Sequence, residues 1–85
     1  MKYKLFIEKA AQKALSKVPP KEQSRIIAAI KDLSENPRPP GVKKLTGRNA
    51  WRIRIGSYRI IYEIQDDTLV ILIVHIGHRK DIYRK

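Results

Sequence analysis

Residues 51–63, WRIRIGSYRIIYE, carry the pattern that decides the fold. Apolar and arginine side chains alternate strictly over residues 51–55, which is typical of a β-strand with one buried face. Gly56-Ser57 is a two-residue signal for a tight hairpin turn. Tyr58 to Ile64 is predicted to form the return strand. The stretch therefore predicts an antiparallel β-hairpin with one face toward a core.

The Gly56-Ser57 turn also fixes a register for this hairpin. In that register Arg54 lies opposite Arg59, and alternation places Arg52 on the same face of the sheet. Like charges directly opposed on a sheet are destabilising, so this face is expected to bind an anion. A slip by one residue would move every side chain to the other face. The opposite face, expected to pack on helices, holds Trp51, Ile53, Ile55, Tyr58, Ile60 and Tyr62.

Two helices are expected before the hairpin. Tyr3 to Ile7 predicts a short opening strand, and Glu8 to Lys17 predicts a first helix with one apolar face. Pro19-Pro20 ends this helix, and Pro20 can begin the second because its missing N–H is not needed there. The second helix is predicted to run to about Glu35 and to form a helical hairpin with the first. The inward residues are expected to be Ala11, Ala14, Leu15 and Val18, then Ile26, Ile27, Ile30 and Leu33.

The segments on either side of the strand hairpin complete the predicted fold. Asn36 to Gly47 is predicted to be a loop with Leu45 filling part of the core, because three prolines and two glycines oppose regular structure. Leu69 to Ile76 predicts a third strand beside the second, covered at least in part on both sides. His78 to Lys85 is expected to be a polar tail. The prediction is a single α+β domain over residues 1–85, with an N-terminal strand, a helical hairpin and a three-stranded antiparallel meander.

Composition excludes several classes of protein. Hydrophobic residues make up 42% of the 85 residues and thirteen residues are Ile, which argues against disorder. The absence of Cys excludes a disulfide framework, a thiolate metal site and a Cys nucleophile. No apolar run approaches the roughly 18 residues of a membrane span, and the N-terminus has no signal-peptide pattern. A cytoplasmic protein without membrane association is therefore expected.

The charge of the chain points to a polyanionic partner. Nineteen Lys and Arg against eight Asp and Glu give a net charge of +11. Self-repulsion at that density costs stability, so we expect function to require it. Nucleic acid is the first choice of partner, ahead of acidic lipid or an acidic protein. The alternative is a merely soluble basic surface, and Lys43 and Lys44 are expected to be solvated.

Groups from the tail are expected to join the arginine face. Arg79 follows the third strand, and Tyr83 comes four residues later, near enough to return to the sheet if the tail forms a helical turn. Such a patch resembles a site for phosphodiester chemistry on RNA, in which cations stabilise the phosphorane. Tyr83 is a conceivable general base because neighbouring cations favour its ionised form. The alternative is that the arginines extend into water or pair with Glu63.

Other chemistries lack their residues in this sequence. The chain has no Ser-His-Asp pattern, no glycine-rich phosphate loop and no metal-ligand cluster, so no cofactor is expected. His75 and His78 are too few to bind zinc, and His75 is expected to be a partly buried sheet residue. Trp51 and Tyr62 are predicted to pack in the core rather than to stack on bases.

Two segments, WRIRIGSYRIIYE over 51–63 and GHRKDIY over 77–83, resemble the RelE/ParE superfamily of toxins from toxin–antitoxin pairs. The opening strand, the helical hairpin and the KLTG segment at 44–47 fit as well, so the resemblance covers almost the whole chain. It implies about four strands with two helices on one face, and a RelB-like antitoxin as partner. For the RelE branch it implies cleavage of mRNA in the ribosomal A site by catalytic Arg52, Arg54, Arg59, Arg79 and Tyr83. Beside these residues we expect His78 and Lys44 as accessory groups.

The chain departs from RelE at the first two of these positions, which are lysines in RelE itself. Lysine can lose its proton whereas arginine effectively cannot, so Arg52 and Arg54 are expected to clamp phosphate. The base is then Tyr83 or His78, and Arg79 is the main transition-state stabiliser. The ParE branch shares the fold but poisons DNA gyrase and generally lacks the full arginine and tyrosine set. Gyrase inhibition and passive nucleic-acid binding remain the alternative functions.

Overall fold

The computed structural model describes residues 2–47 and 49–78 of the chain. It confirms the α+β class, with a helical hairpin packed on one face of a sheet. The elements in chain order are β1 (Lys4–Ile7), α1 (Lys9–Ser16), α2 (Pro20–Leu33), β2 (Lys43–Lys44), β3 (Ala50–Ile55), β4 (Tyr58–Gln65) and β5 (Val70–His78).

The strands form one five-stranded sheet in the order β1-β5-β4-β3-β2. β1 runs parallel to β5 because the helical hairpin carries the chain across the sheet, and the other pairs are antiparallel. The sheet has one strand more than the family resemblance implies. Lys43–Lys44, predicted to lie in a loop, forms β2 and pairs with Arg52 and Trp51 of β3. A two-residue strand is too short to show alternation, so only the neighbouring strand defines it.

The register of the β3–β4 hairpin is confirmed. Ile55 pairs with Tyr58, and Arg54 pairs with Arg59. Gly56 has φ of +59° at the turn, a left-handed conformation that glycine adopts without steric cost. The prediction for the end of the third strand was wrong, since β5 continues through His78 and includes the first residue of the expected tail.

Both helices cover the same face of the sheet, and the core lies between them. Trp51 and Tyr62 belong to this core, at 8% and 0% exposure, which confirms that they pack rather than offer stacking surfaces. Ile27 was wrongly assigned to the core and is 36% exposed, because consecutive helical residues point about 100° apart. Val42 is the apolar residue of the α2–β2 segment that packs on the core, whereas Leu45 is half-buried.

The loop after α2 is tied to the sheet at Arg38. The Nη1 and Nη2 atoms of its guanidinium donate hydrogen bonds to the two carboxylate oxygens of Asp66, at 3.3 and 2.9 Å. The central carbon of the guanidinium lies 4.8 Å from the centroid of the Trp51 ring. The Tyr3 hydroxyl donates to the same carboxylate at 2.7 Å. Arg38 and Tyr3 together lower the pKa of Asp66. These contacts hold β3 and the β4–β5 turn against the loop that leads into β2.

Tyr62 makes a second tie to the same loop. Its side chain is fully buried, and its hydroxyl donates to the carbonyl oxygen of Pro37 at 2.7 Å. Burial raises the pKa of Tyr62 to about 12. The side chain of Tyr62 is therefore protonated in the folded protein at neutral pH.

We expect Tyr62→Phe to lower the free energy of unfolding by about 1–2 kcal/mol at pH 8, because the Pro37 carbonyl loses its donor. The folded pKa of Tyr62 is raised from 10.0 to about 12, so the stabilisation by the protonated phenol is complete below pH 10 and is lost between pH 10 and 12. Urea unfolding of both proteins at pH 8 and pH 11 should show a smaller difference at pH 11. An equal difference at the two pH values would contradict this account.

No helix within residues 2–47 and 49–78 is long and apolar enough to cross a membrane.

Candidate active site

The face of the sheet opposite the helices, called the open face below, carries the three arginines of the hairpin. Arg54 is exposed, and Arg52 and Arg59 are half-buried. β3 and β4 bring them together because the alternating residues Ile53 and Ile60 are buried on the helix side. Lys43 of β2 lies opposite Arg52 and adds a fourth cation to this face.

The spacing of these cations suits a single anionic group. Arg54 and Arg59 are directly opposed, so their Cβ atoms are about 5 Å apart, and Arg52 lies about 7 Å along β3 from Arg54. Glu63, the acid named as the alternative partner, lies about 13 Å from Arg59 along β4 and diagonally across from Arg52, about 7 Å away. Guanidinium groups form charge-assisted, paired hydrogen bonds to phosphate oxygens. The arrangement can hold a phosphodiester and stabilise the charge that builds up on it.

His75 lies on the open face, which residue alternation along β5 does not predict. It is exposed and pairs with Ile61 of β4, next to the pair formed by Gly77 and Arg59. The prediction of a partly buried side chain was wrong because β5 carries a bulge at this point. Ile73 and Ile76 are both buried although they are three residues apart. In a regular strand, residues on one face are two or four apart, so this spacing was the signal in the sequence for a bulge.

The two accessory residues do not lie on the open face. His78 pairs with Tyr58 on the helix side, where the two ring centroids are 5.1 Å apart and the rings are perpendicular. Lys44 pairs with Trp51, and its ammonium lies 5.6 Å from the centroid of that ring. Arg79 and Tyr83 lie outside the described residues. Of the predicted site residues within the described ranges, the structure thus brings together the three arginines of the hairpin.

A cavity of about 470 Å³ lies beside the arginines, between α2 and the outer edge of β3. β2 pairs only with the first part of β3, so residues 53–55 lie at the edge of the sheet in the described chain. The cavity is lined in part by Ala29, Leu33, Pro39, Ile53 and Ile55. It therefore combines an apolar surface with a strand edge, next to a strongly basic face.

Within the described ranges, no three His, Asp or Glu side chains are grouped so that they could hold a metal ion. The open face is dominated by guanidinium groups, which repel cations. Its residues suit the binding of an anion.

Comparison with known proteins bears on the fold and the family of the chain. A family profile described as the ParE toxin of type II toxin–antitoxin systems matches residues 5–83. Toxin RelG of Mycobacterium tuberculosis is 33% identical over 89 residues, covering 100% of both chains, and toxin RelE3 of Methanocaldococcus jannaschii is 35% identical over 85 residues, covering 94% of each. The toxin in the archaeal RelE–RelB complex from Pyrococcus horikoshii superposes with a TM-score of 0.84 at 32% identity, over 93% of this chain and 97% of that one. The chain therefore belongs to the RelE/ParE superfamily of toxins of type II toxin–antitoxin systems.

Proposed function

We propose that this toxin is an endoribonuclease that cleaves mRNA in the ribosomal A site and so inhibits translation in the cytoplasm. The observation that carries the proposal is the direct opposition of Arg54 and Arg59, with Arg52 beside them on an exposed face. This arrangement costs stability in the free protein, and an RNA phosphate offsets the repulsion.

The reaction we propose uses the RNA's own 2′-hydroxyl as nucleophile. The hydroxyl loses its proton to a base, its oxygen forms a bond to phosphorus, and the bond from phosphorus to the 5′-oxygen breaks. The electron pair leaves with the 5′-oxygen, which takes a proton from water, so the products are a 2′,3′-cyclic phosphate and a 5′-hydroxyl. The arginines of the open face hold the phosphate and stabilise the phosphorane, but a guanidinium cannot act as the base.

The shape of the site supports dependence on the ribosome. The arginines lie on the surface of a sheet, and the small recess beside Arg54, Ser57 and Arg59 measures only about 70 Å³. A recess of that size cannot enclose a nucleotide, because pockets that bury ligands measure about 300–1,000 Å³. We therefore propose that the ribosomal A site, and not this recess, holds the mRNA in the reactive geometry against the open face. The net charge of +11 favours association with ribosomal RNA.

A RelB-like antitoxin is the protein partner we propose. The relative from Pyrococcus horikoshii was solved as a RelE–RelB complex. In this chain, the cavity beside β3 and the exposed Phe6 on β1, at 52% exposure, offer apolar surface next to basic surface. An acidic partner would associate quickly with such a surface and would reduce the repulsion among its cations.

Incubation of the purified chain with programmed ribosomes tests the nuclease proposal. We expect new 5′-hydroxyl ends at the A-site codon, and none on the same mRNA without ribosomes. Arg79→Ala should reduce them by at least about 100-fold, since Arg79 is the predicted main stabiliser of the transition state. Lys21→Ala, which removes an equal charge from the exposed surface of α2, should leave them unchanged. Sequencing of the 5′ ends measures both effects.

The outcome also discriminates among the alternatives. The matching family profile is that of ParE, and gyrase poisoning is the activity expected for that branch. Intact mRNA together with gyrase-dependent DNA breaks would replace the nuclease proposal by gyrase inhibition. Intact mRNA and intact DNA, with salt-sensitive binding to RNA alone, would leave a passive nucleic-acid-binding module.

A further inference from the structure

We propose that His75 is the base that takes the proton from the attacking 2′-hydroxyl. This inference rests on the nuclease function proposed above and assigns the one role that the arginines cannot fill. It differs from the expectation drawn from the sequence, which gave the role to Tyr83 or His78. Three features of β5 support it: a bulge, a neighbouring glycine and the position relative to Arg59.

The bulge in β5 is what turns His75 toward the open face. Ile71 and Ile73 are fully buried on the helix side, so strict alternation would also point residue 75 toward the helices. The register instead shifts by one residue opposite Ile61 and Tyr62 of β4. Beyond the shift Ile76 is buried and His75 is exposed. Bulges often lie next to active sites, where they redirect a side chain, and the side chain redirected here is an imidazole.

Gly77 leaves the space that the imidazole occupies. A Cβ added to Gly77 would come within 2.6 Å of the Nε2 atom of His75 and 3.3 Å of its Cε1 atom. Real Cβ atoms do not approach other atoms so closely, so any larger residue would displace the ring. The ring thus lies along the strand over Gly77, the residue that pairs with Arg59. In this rotamer the imidazole fills the space that a Cβ at residue 77 would occupy, and it lies beside the residue paired with Arg59.

The position of His75 suits proton transfer at a phosphate held by the arginines. His75 lies diagonally across from Arg59, about 7 Å between Cα atoms, and its ring leans toward that arginine. Glu63, the carboxylate on the open face, is about 13 Å from Arg59 along β4. Imidazole exchanges protons near neutral pH, whereas guanidinium stays charged. His75 therefore places a proton acceptor on the open face beside the opposed arginine pair.

The proton balance of the step is simple. The O–H bond of the 2′-hydroxyl breaks as its proton moves to an imidazole nitrogen of His75, and the freed electron pair forms the bond from the 2′-oxygen to phosphorus. The imidazolium then returns the proton to water. No oxidant, metal or second substrate takes part.

Cleavage by His75→Ala, His75→Gln and Gly77→Ala on programmed ribosomes tests this role. We expect the single-turnover rate to fall by about 10²- to 10⁴-fold in both His75 variants, the usual contribution of general base catalysis. Gly77→Ala should lower it at least tenfold by displacing the ring. Free imidazole added to the reaction should restore part of the rate to His75→Ala, which loss of a merely structural side chain would not allow. Lys4→Ala, an exposed cation on the open face at the β1 edge, is the matched control and should retain the wild-type rate.

The outcomes separate this role from the function on which it rests. Absence of cleavage by the wild-type chain would overturn the nuclease proposal and the role of His75 with it. Cleavage by the wild-type chain and by His75→Ala at rates within threefold would overturn only the role of His75. An mRNA with sulfur in place of the scissile 5′-oxygen has a leaving group that needs no proton. If the defect of His75→Ala disappeared on that substrate, His75 would be the acid for the leaving group and the assignment as base would be wrong.

Discussion

Arg54→Ala is expected to lower the rate of mRNA cleavage by about 10²- to 10³-fold while the protein becomes no less stable. The loss of rate follows from removing one preorganised cation from the developing phosphorane charge. The stability result follows from the register, because Arg54 lies directly opposite Arg59 and like charges in that position repel. We expect the free energy of unfolding to stay constant or to rise by up to about 1 kcal/mol. Single-turnover cleavage on programmed ribosomes and urea unfolding measure the two effects.

Two matched variants sharpen this prediction. Arg54→Lys keeps the charge but loses the planar pair of donors, so it should recover only part of the lost rate. Lys21→Ala lowers the net charge by the same amount on the exposed surface of α2. It should change the cleavage rate by no more than about twofold and the free energy of unfolding by no more than about 0.5 kcal/mol. A large loss of stability in Arg54→Ala would contradict the repulsion argument, and an unchanged cleavage rate would remove Arg54 from the site.

Ile73→Ala is expected to have the largest effect on stability, a loss of about 2–5 kcal/mol. Ile73 is fully buried in the middle of the sheet, where it pairs with Ile7 of β1 and Tyr62 of β4. Truncation of the side chain leaves a cavity. Because β5 is hydrogen-bonded to a strand on each side, the sheet can close this cavity only in part. Domains of this size are stabilised by about 5–15 kcal/mol in total, so the variant should unfold at a temperature at least about 10 °C lower.

Ile61→Ala provides the matched control for Ile73→Ala. Ile61 is the same residue type in the adjacent strand, but it is half-buried on the open face. Its truncation removes less buried surface and leaves no enclosed cavity, so we expect a loss below about 1.5 kcal/mol. Calorimetry of the two variants would contradict this picture of the core if they unfolded at the same temperature.

The opposed arginines of the open face are unfavourable for the sheet, which supports the functional site proposed there. The buried side chains of β3 and β4 are apolar or aromatic and stabilise the fold. The directly opposed Arg54 and Arg59 repel each other and destabilise the sheet. In proteins such local conflicts concentrate at functional sites, where a ligand offsets them. An antitoxin or an RNA phosphate that binds this face should therefore stabilise the toxin in proportion to its affinity.

The β3–β4 hairpin was predictable because it depends on residues that are close together in the chain. A two-residue turn with glycine sets the pairing, and strict alternation then assigns each side chain to a face. The opposed arginine pair, the buried Trp51 and the buried Tyr62 all follow from residues within fifteen positions of one another. The helices were predictable for the same reason. The apolar spacing that predicts them and the Pro19-Pro20 pair that separates them lie in or next to the helices in the chain.

Features that depend on a neighbouring strand were not predictable. β2 exists because the edge of β3 offers hydrogen bonds to Lys43–Lys44, and nothing in those two residues indicates a strand. The same pairing places Lys43, rather than Lys44, beside Arg52. Ile27 and Leu45 were predicted to face the core, but the orientation of α2 and the path of the loop decide which apolar side chains reach it.

The sequence by itself determined the class of fold, the hairpin register and the three arginines on one face, because turn chemistry and residue alternation act between near neighbours in the chain. Only the tertiary structure decided that His75 joins those arginines and that His78 and Lys44 do not. The two histidines are placed by the bulge opposite Ile61 and Tyr62, which reverses the facing of every later residue in β5, and Lys44 is placed by the pairing of β2 with β3. A bulge is set by how two strands distant in sequence fit together over a shared core, and that fit exists only once the chain has folded.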